Sequence, residues 1–443
     1  TQKYESRPTW AMDSFFQVAP YGQLVDSCHA YGAKVVSQLT VGLGRVAYAD
    51  RLETAPYGPS ENPLRGNLAV CTRAFTKEQI AEVVQAYGTA AAMLQKAGVD
   101  GIEMHAYGGY LFDQFMTSAW NRRTDEYGGN LRNRMRFLIE CLHEVKKVCG
   151  ADYPVIAKVT VDHRISKPGY RTIEEGVEMC RILEEEGIDA LHIDTGCYER
   201  YYCQIPSVYE PEGMELDVIR KVRAAVRVPL MGQGKLNNPE VAEAVLEEEA
   251  LDVIAMGHQM LADPDWPEKV REGRTQEINH CIGCNECMYM AVAGRHRPCA
   301  INPLSGHELD YPFIPAKKTK KLLVIGGGPA GINAALTAWE RGIEVTLWER
   351  NSYLGGNLAA AGAPSFKKDV HKYLENLIYR LNQSEVKVVM NKCATKETIL
   401  AEKVDDVILA TGSDPIVIPI PVAEGTKVKV MTSNECLLGG PVK

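Results

Sequence analysis

Six short apolar, β-branched runs recur between residues 33 and 257, each followed by a longer amphipathic stretch, and this alternation limits the fold more than any other feature of the chain. The runs are AKVVSQL (33–39), VDGIEMH (99–105), PVIAKVT (154–160), IDALHID (188–194), RVPLMG (227–232) and LDVIAMG (251–257). Strands that are apolar along their length are buried on both faces, which a parallel sheet covered by helices provides. Six strand–helix units in series suit a (β/α)₈ TIM barrel better than an open sheet, with two of the eight strands unrepresented. In such a barrel the polar residues at strand C-terminal ends carry the chemistry, because the connecting loops converge on that face. Here those ends present Gln38, His105 with Tyr110 following, Lys158, Asp194 with TGCYERYY after it, Gly232 to Lys235, and Gly257 with His258. Each alone reads as an ordinary loop residue; six in register point to a site.

Beyond the Pro- and Lys-rich PFIPAKKTKK the pattern changes to KLLVIGGGPAGINAALTAWERGIEVTLWER. Leu322 to Trp339 is uncharged for 18 residues, but its glycines, Pro329 and Asn333 break any membrane span and leave a buried strand running into a helix. Gly326, Gly328 and Gly331 form G-x-G-x-x-G between that strand and helix, and Glu349 closes the next strand 23 residues beyond Gly326. Glycines there let the backbone approach a pyrophosphate, the helix N-terminus stabilises its charge, and the acid holds a ribose hydroxyl. Ala330 inside the motif, Gly356 in the following turn, and Thr411 and Gly412 at the end of DDVILATG complete the candidate dinucleotide-binding set.

Between these regions lies Cys281-x₂-Cys284-x₂-Cys287-x₁₁-Cys299. Three thiolates on one tight loop and a fourth beyond it can surround a [4Fe-4S] cubane, whose irons each need one sulfur ligand. A four-cysteine zinc site is the alternative, although zinc knuckles usually come as two separated pairs. A one-electron centre between a barrel and a dinucleotide domain is suited to relaying electrons between two flavins.

Composition closes off other classes. A net charge of −8 without clustered Lys and Arg argues against nucleic acid. TQKYESRPTW shows no basic region ahead of an apolar core, and 13 cysteines, an odd number, do not make a disulfide framework; both favour a reducing cytoplasm.

The segments QLTVGLGR, DGIEMHAYGGYLFDQFMTSAWNRRTDEYGGNLRNRMRF, GQGKLNNPEVAEAVL, MGHQMLADPDWPEKVREG, HCIGCNEC and LLVIGGGPAGINAAL together resemble the Old Yellow Enzyme superfamily, in particular its long iron-sulfur branch. The resemblance implies an FMN-bearing barrel over residues 1–275, a [4Fe-4S] segment over 276–311, a linker at 312–320 and an FAD/NAD(P)H module from 321 to 443. It implies that Gln38 bonds the flavin pyrimidine edge, that Lys158 places positive charge near flavin N1, and that Gly232, Gly234 and Lys235, with Gly257 and His258, cradle the FMN phosphate. His105 would then polarise a substrate carbonyl and Tyr110 would protonate the α carbon, with Tyr198, Tyr201 or Tyr202 lining the pocket; plain aromatic packing is the other reading of Tyr110. Departures are His258 where relatives carry Arg, Gly108 where shorter relatives have Asn, a shorter spacing before Cys287, and no histidine in TGCYERYYCQIP. The family further has two βα units ahead of AKVVSQL and a second nicotinamide-binding motif beyond LLGGPVK, so the NAD(P)H site is expected outside this sequence. The expected activity is anaerobic, NAD(P)H-driven reduction of an alkene conjugated to a carbonyl, in a steroid enone, an enoate or an acyl-CoA in that order. An amine dehydrogenase and a non-catalytic electron-transfer scaffold are the rivals, and a homo-oligomer is compatible with any of the three.

Overall fold

The structure is a computed structural model, and it describes residues 4, 11–48, 52, 54–292, 295–423, 425 and 430–439. The chain divides into two compact units, Thr1–Pro206 with Glu212–Ala255, and Ser207–Pro211 with Met256–Lys443.

In the first unit all six apolar runs become strands of one parallel sheet. β1 (Val36–Leu39) is followed by two small ribbons, in which β2 (Tyr57–Gly58) pairs with β5 (Arg73–Ala74) and β3 (Pro63–Leu64) with β4 (Asn67–Cys71). The main sheet continues with β6 (Gly101–Ala106), β7 (Val155–Asp162), β8 (Ala190–Thr195), β9 (Leu230–Gly232) and β10 (Val253–Ile254), in the order β1-β6-β7-β8-β9-β10. Helices Lys77–Lys96, Leu131–Cys149, Ile173–Glu185, Leu216–Arg223 and Pro239–Glu247 alternate with the strands, giving six consecutive staves of a (β/α) barrel. Several helices begin at a side chain that accepts a backbone N–H: Thr76, in a capping box with Gln79, then Asn130, Thr172 and Asn238.

Strand alternation sorts the side chains. Ile102, Met104 and Ala106 on β6, Val155, Ala157, Val159 and Val161 on β7, and Leu191 and Ile193 on β8 are fully buried within one apolar cluster. Their neighbours in sequence, Glu103, His105, Lys158, His192 and Asp194, take the opposite face by the two-residue period of a strand. Each of the larger side chains so buried, the Val, Ile, Leu and Met, contributes about 1.5–3 kcal/mol. A one-residue slip would forfeit this and drive Lys158 and His192 into the helix layer, so the register is strongly specified.

The second unit carries a four-stranded parallel sheet of β11 (Lys321–Ile325), β12 (Glu344–Trp348), β13 (Lys387–Val389) and β14 (Asp406–Leu409), in the order β13-β12-β11-β14. The segment read as uncharged strand and helix is β11 running into the helix Pro329–Glu340. Leu322, Val324, Ile332, Leu336, Leu347 and Leu377 form its larger core, and Leu323, Ile325 and Trp348 form a smaller one on the other side of the sheet. The order reverses between β11 and β14, and crevices at such reversals are where open α/β sheets take ligands. No helix among the described residues is long and apolar enough to cross a membrane.

Candidate active site and cofactor sites

The concave face of the first sheet carries Gln38, His105, Lys158 and Asp194 of the predicted strand-end residues. After β6 the chain turns through Gly108 and Gly109, whose φ of +70° and +87° L side chains rarely adopt, and this turn sets Tyr110 at the head of the helix Leu111–Met116. The turn is clamped from beneath. Gly108 N–H donates to Thr160 Oγ1 at 2.7 Å and Gly109 N–H to Asp113 Oδ2 at 2.7 Å. Asp113 is fully buried and also meets Arg171 Nη1 at 2.5 Å and His163 Nε2 at 3.1 Å. Arg171 donates its backbone N–H to His163 Nδ1 at 2.9 Å, so that nitrogen is unprotonated and Nε2–H is the one facing the carboxylate. Burial alone would raise Asp113, but the charge of Arg171 and the hydrogen bonds from His163 and Arg171 outweigh it and hold the carboxyl below the usual range.

On this turn the His105 ring lies 4.2 Å from that of Tyr110 and 4.9 Å from that of Tyr107, centroid to centroid. Burial, with the Lys158 charge second, pushes His105 down to about 3, so its ring is neutral at physiological pH. Its Nδ1 lies 3.1 Å from Thr40 Oγ1. The Tyr110 and Tyr198 hydroxyls are 2.9 Å apart, and the Tyr201 ring lies 5.6 Å from that of Tyr198. Burial raises both Tyr110 and Tyr198 well above the ordinary phenol range. Tyr202 is 46% exposed, and its hydroxyl accepts from Arg200. The structure therefore brings His105, Tyr110, Tyr198 and Tyr201 together and gives Tyr202 to Arg200.

Lys158 Nζ donates to Gln233 Oε1 at 2.8 Å, lies 3.4 Å from Asp194 Oδ2 and stands 4.5 Å from the centre of the Tyr107 ring. Gln38 on β1 donates its amide to Glu103 at 2.6 Å, and Glu103 in turn meets His192 Nδ1 at 2.7 Å. At the end of β9, Gly234 and Lys235 both have positive φ, +103° and +57°. Successive backbone N–H groups in such a turn form a concavity for an anion. Gly257 and His258 lie in the second unit, where His258 begins the helix His258–Ala262 and burial lowers its basicity.

In the second unit the glycine motif is held by close approach. A Cβ on Gly331 would lie 1.8 Å from the Gly326 carbonyl oxygen, and one on Gly326 would lie 2.2 Å from that of Ala410. Gly328 caps the helix that contains Ala330, and Gly356, with φ of +52°, stands against it. The Glu349 carboxylate accepts the N–H groups of Gly327 and Asn351, both at 2.7 Å. Thr411 and Gly412 follow β14 and are exposed.

The four cysteines are free thiols on one segment, with Cys281 and Cys299 packed against the core of this unit. Gly283, at φ of +61°, donates its N–H toward Cys281 Sγ at 3.5 Å. Burial pushes Cys281 up to about 12, and the thiols of Cys299, Cys284 and Cys287 add to that shift. No group of three or more His, Cys, Asp or Glu among the described residues stands in metal-holding geometry.

Sequence reading missed Glu103, His192, Asp113, His163 and Arg171. Glu103 and His192 each gave a signal, as a polar residue inside an apolar run two positions before His105 and Asp194 respectively.

Comparison with known proteins places the chain in a wider group. The family described as NADH:flavin oxidoreductase / NADH oxidase matches residues 9–277, and that of pyridine nucleotide-disulphide oxidoreductases matches residues 320–440. The chain is 37% identical over 434 residues to a cinnamate reductase of Clostridium sporogenes, covering 94% of this chain and 64% of that protein. Among solved structures it is similar to a 2-naphthoyl-CoA reductase in complex with 2-naphthoyl-CoA, with a TM-score of 0.89 and 30% identity, over 97% of this chain and 67% of that one. It is also similar to the histamine dehydrogenase of Rhizobium sp. 4-9, with a TM-score of 0.85 and 28% identity, over 94% of this chain and 60% of that one. The chain thus spans less than two thirds of the cinnamate reductase's length.

Proposed function

We propose, on the premise that the chain belongs to the NADH:flavin oxidoreductase / NADH oxidase family, that it reduces a carbon–carbon double bond conjugated to a carbonyl at the expense of NAD(P)H. The observation that carries this reading is the pairing of a neutral His105 with a protonated Tyr110 at one strand end, rings 4.2 Å apart. The residues fit a flavin: an amide at Gln38, a cation at Lys158, and the positive-φ turn at Gly234 and Lys235 for a phosphate. They would hold FMN, which would supply the hydride for the β carbon. The Thr40 hydroxyl has one proton, with the Gly42 carbonyl at 3.4 Å and His105 Nδ1 at 3.1 Å as its acceptors. In the tautomer that takes it at Nδ1, Nε2–H donates to the substrate carbonyl oxygen. Tyr110 keeps its proton through neutral pH and delivers it to the α carbon, and Tyr198, joined hydroxyl to hydroxyl, replenishes it.

The relatives named for cinnamate and 2-naphthoyl-CoA support an unsaturated acid or its thioester ahead of a steroid enone. The likeness to a histamine dehydrogenase supports an amine substrate held by aromatic rings. Two of those rings already face a cation, Tyr107 with Lys158 at 4.5 Å and Tyr198 with Arg65 at 5.2 Å, which disfavours a second positive charge.

In the second unit the Gly326–Gly331 cradle and Glu349 fit FAD, and Cys281, Cys284, Cys287 and Cys299 supply the four thiols a [4Fe-4S] cluster would take, with the Gly283 N–H donated to Cys281 Sγ. The proposed division is a flavin barrel over residues 1–275, a cluster segment over 276–311 and a dinucleotide module from 321. Anaerobic mixing of the full-length protein with NADH and a panel of enoates, acyl thioesters and enones tests the reading. Flavin bleaching by NADH with saturated product supports it; bleaching by a methylated amine alone rejects it. Zinc in place of iron and labile sulfide rejects the cluster.

A further inference from the structure

Gln38 on β1, Glu103 on β6 and His192 on β8 stand on the concave face of the first sheet, and Gln38 and Glu103 are direct register partners. Both oxygens of Glu103 are engaged: Oε2 by the Gln38 Nε2 amide at 2.6 Å and Oε1 by His192 Nδ1 at 2.7 Å. Burial would raise the Glu103 carboxyl, but the His192 hydrogen bond, the charges of His192 and Lys158 and the Gln38 bond outweigh it and keep it ionised. An ionised carboxylate only accepts hydrogen bonds. The nitrogen of the Gln38 amide must therefore face Glu103, and its carbonyl oxygen must face away. A glutamine without such a neighbour rotates and offers either atom. Here the reversed rotamer sets oxygen against oxygen and forfeits a bond to a charged group, which disfavours it roughly ten- to hundredfold. His192 is fixed in the same way: Nδ1 donates to Glu103, and Nε2 is buried without a partner.

We propose that Glu103, backed by His192, is a positioning residue that locks the Gln38 amide with its carbonyl outward, so that this place on the barrel accepts a hydrogen bond from the imide N–H of a flavin pyrimidine ring. The inference rests on the FMN part of the reading above and adds to it the polarity of the contact. Glu103 acts on the ligand only through Gln38, whose second Nε2–H is left for an acceptor beside the imide.

The test titrates the imide N–H of FMN bound to the full-length protein with base, followed by flavin absorbance. A carbonyl held against that N–H stabilises the protonated ring, so the bound imide ionises roughly one pH unit above free FMN. Glu103→Met frees the amide and removes most of the shift. Gln38→Met removes it equally, and the double variant loses no more than either single one. A wild-type imide that ionises with free FMN, a shift that survives Glu103→Met, or additive losses in the double variant would each overturn the proposal. One measurement needs no substitution at Glu103. In wild-type protein without flavin, the Gln38 side-chain amide protons, identified by their absence in Gln38→Met, lie downfield and move back as acid protonates Glu103. Amide protons at the position of a free glutamine throughout the titration would also overturn it. Protein that takes up no FMN refutes the flavin reading and leaves the amide measurement to decide the lock.

Discussion

The strand ends of the first unit and the first turn of the dinucleotide module both present hydrogen-bonding groups in a crevice, but they are made of different material. The module is built from backbone. Gly326, Gly328 and Gly331 sit within six residues, and what matters is the side chain each lacks. The strand-end site is built from side chains that brace one another: Gln38, Glu103 and His192 across the sheet, and Asp113, His163 and Arg171 in the helix and loop beyond the strand ends. A backbone site fails when volume is added; a side-chain site fails when a partner is removed.

The first way to break the comparison is to add volume. In Gly331→Ala the new methyl meets the Gly326 carbonyl at 1.8 Å, so helix and strand must separate. FAD released per chain on denaturation should fall at least tenfold while FMN content holds. Gly412→Ala has open space around it, so only its φ of +67° matters, at about 1 kcal/mol of strain.

The second way removes a partner. Asp113→Ala leaves Arg171 buried without its carboxylate and should cost about 3–5 kcal/mol in chemical denaturation, much of it recovered in Asp113→Ala with Arg171→Met. Equal losses in the single and double variants would show that the pair is not acting as a unit. Tyr110→Phe keeps the ring and removes the proton donor. Turnover should drop about a hundredfold or more, while NADH still bleaches the flavin at the wild-type rate.

The smallest effect sharpens the comparison through pH. Glu215 is fully buried, accepts the Thr195 hydroxyl at 3.2 Å on Oε1, and has no partner for Oε2. Burial, and after it the charge of Asp194, raises it well above the ordinary 4.5. The folded protein thus binds this proton more tightly than the unfolded chain. Its contribution is complete below the unfolded value and is lost as pH rises toward the folded one, by roughly 1.4 kcal/mol per pH unit. Glu215→Gln should melt above wild type near pH 8 and converge with it toward pH 4; parallel melting curves would show that Glu215 ionises freely when folded.

The same division explains what could be read before the structure. The six strands of the first sheet and the β11–helix–β12 turn were legible because their signals are local, an apolar run or a glycine spacing. His105 and Tyr110 were legible because one stands near the end of a strand and the other follows it; Lys158, expected at a strand end, stands mid-strand in β7, and its inward face is what brings it to the same side as His105. Glu103 and His192 were not, because they are 89 residues apart and meet only when β6, β7 and β8 align. Asp113 was hidden in the helix after Tyr110, where an acid in the first turn reads as an ordinary dipole partner. Its real partners arrive from residues 163 and 171. The pairing of Tyr198 with Tyr110 depended on two loops converging at one barrel rim, which spacing cannot encode.

Asp113 and Arg171 also constrain how this chain can vary over time. Neither charge can be replaced alone without stranding the other in the interior, and the turn that carries Tyr110 hangs from the acid. Two positions 58 residues apart are thereby bound into one heritable unit, which descendants keep whole or exchange whole.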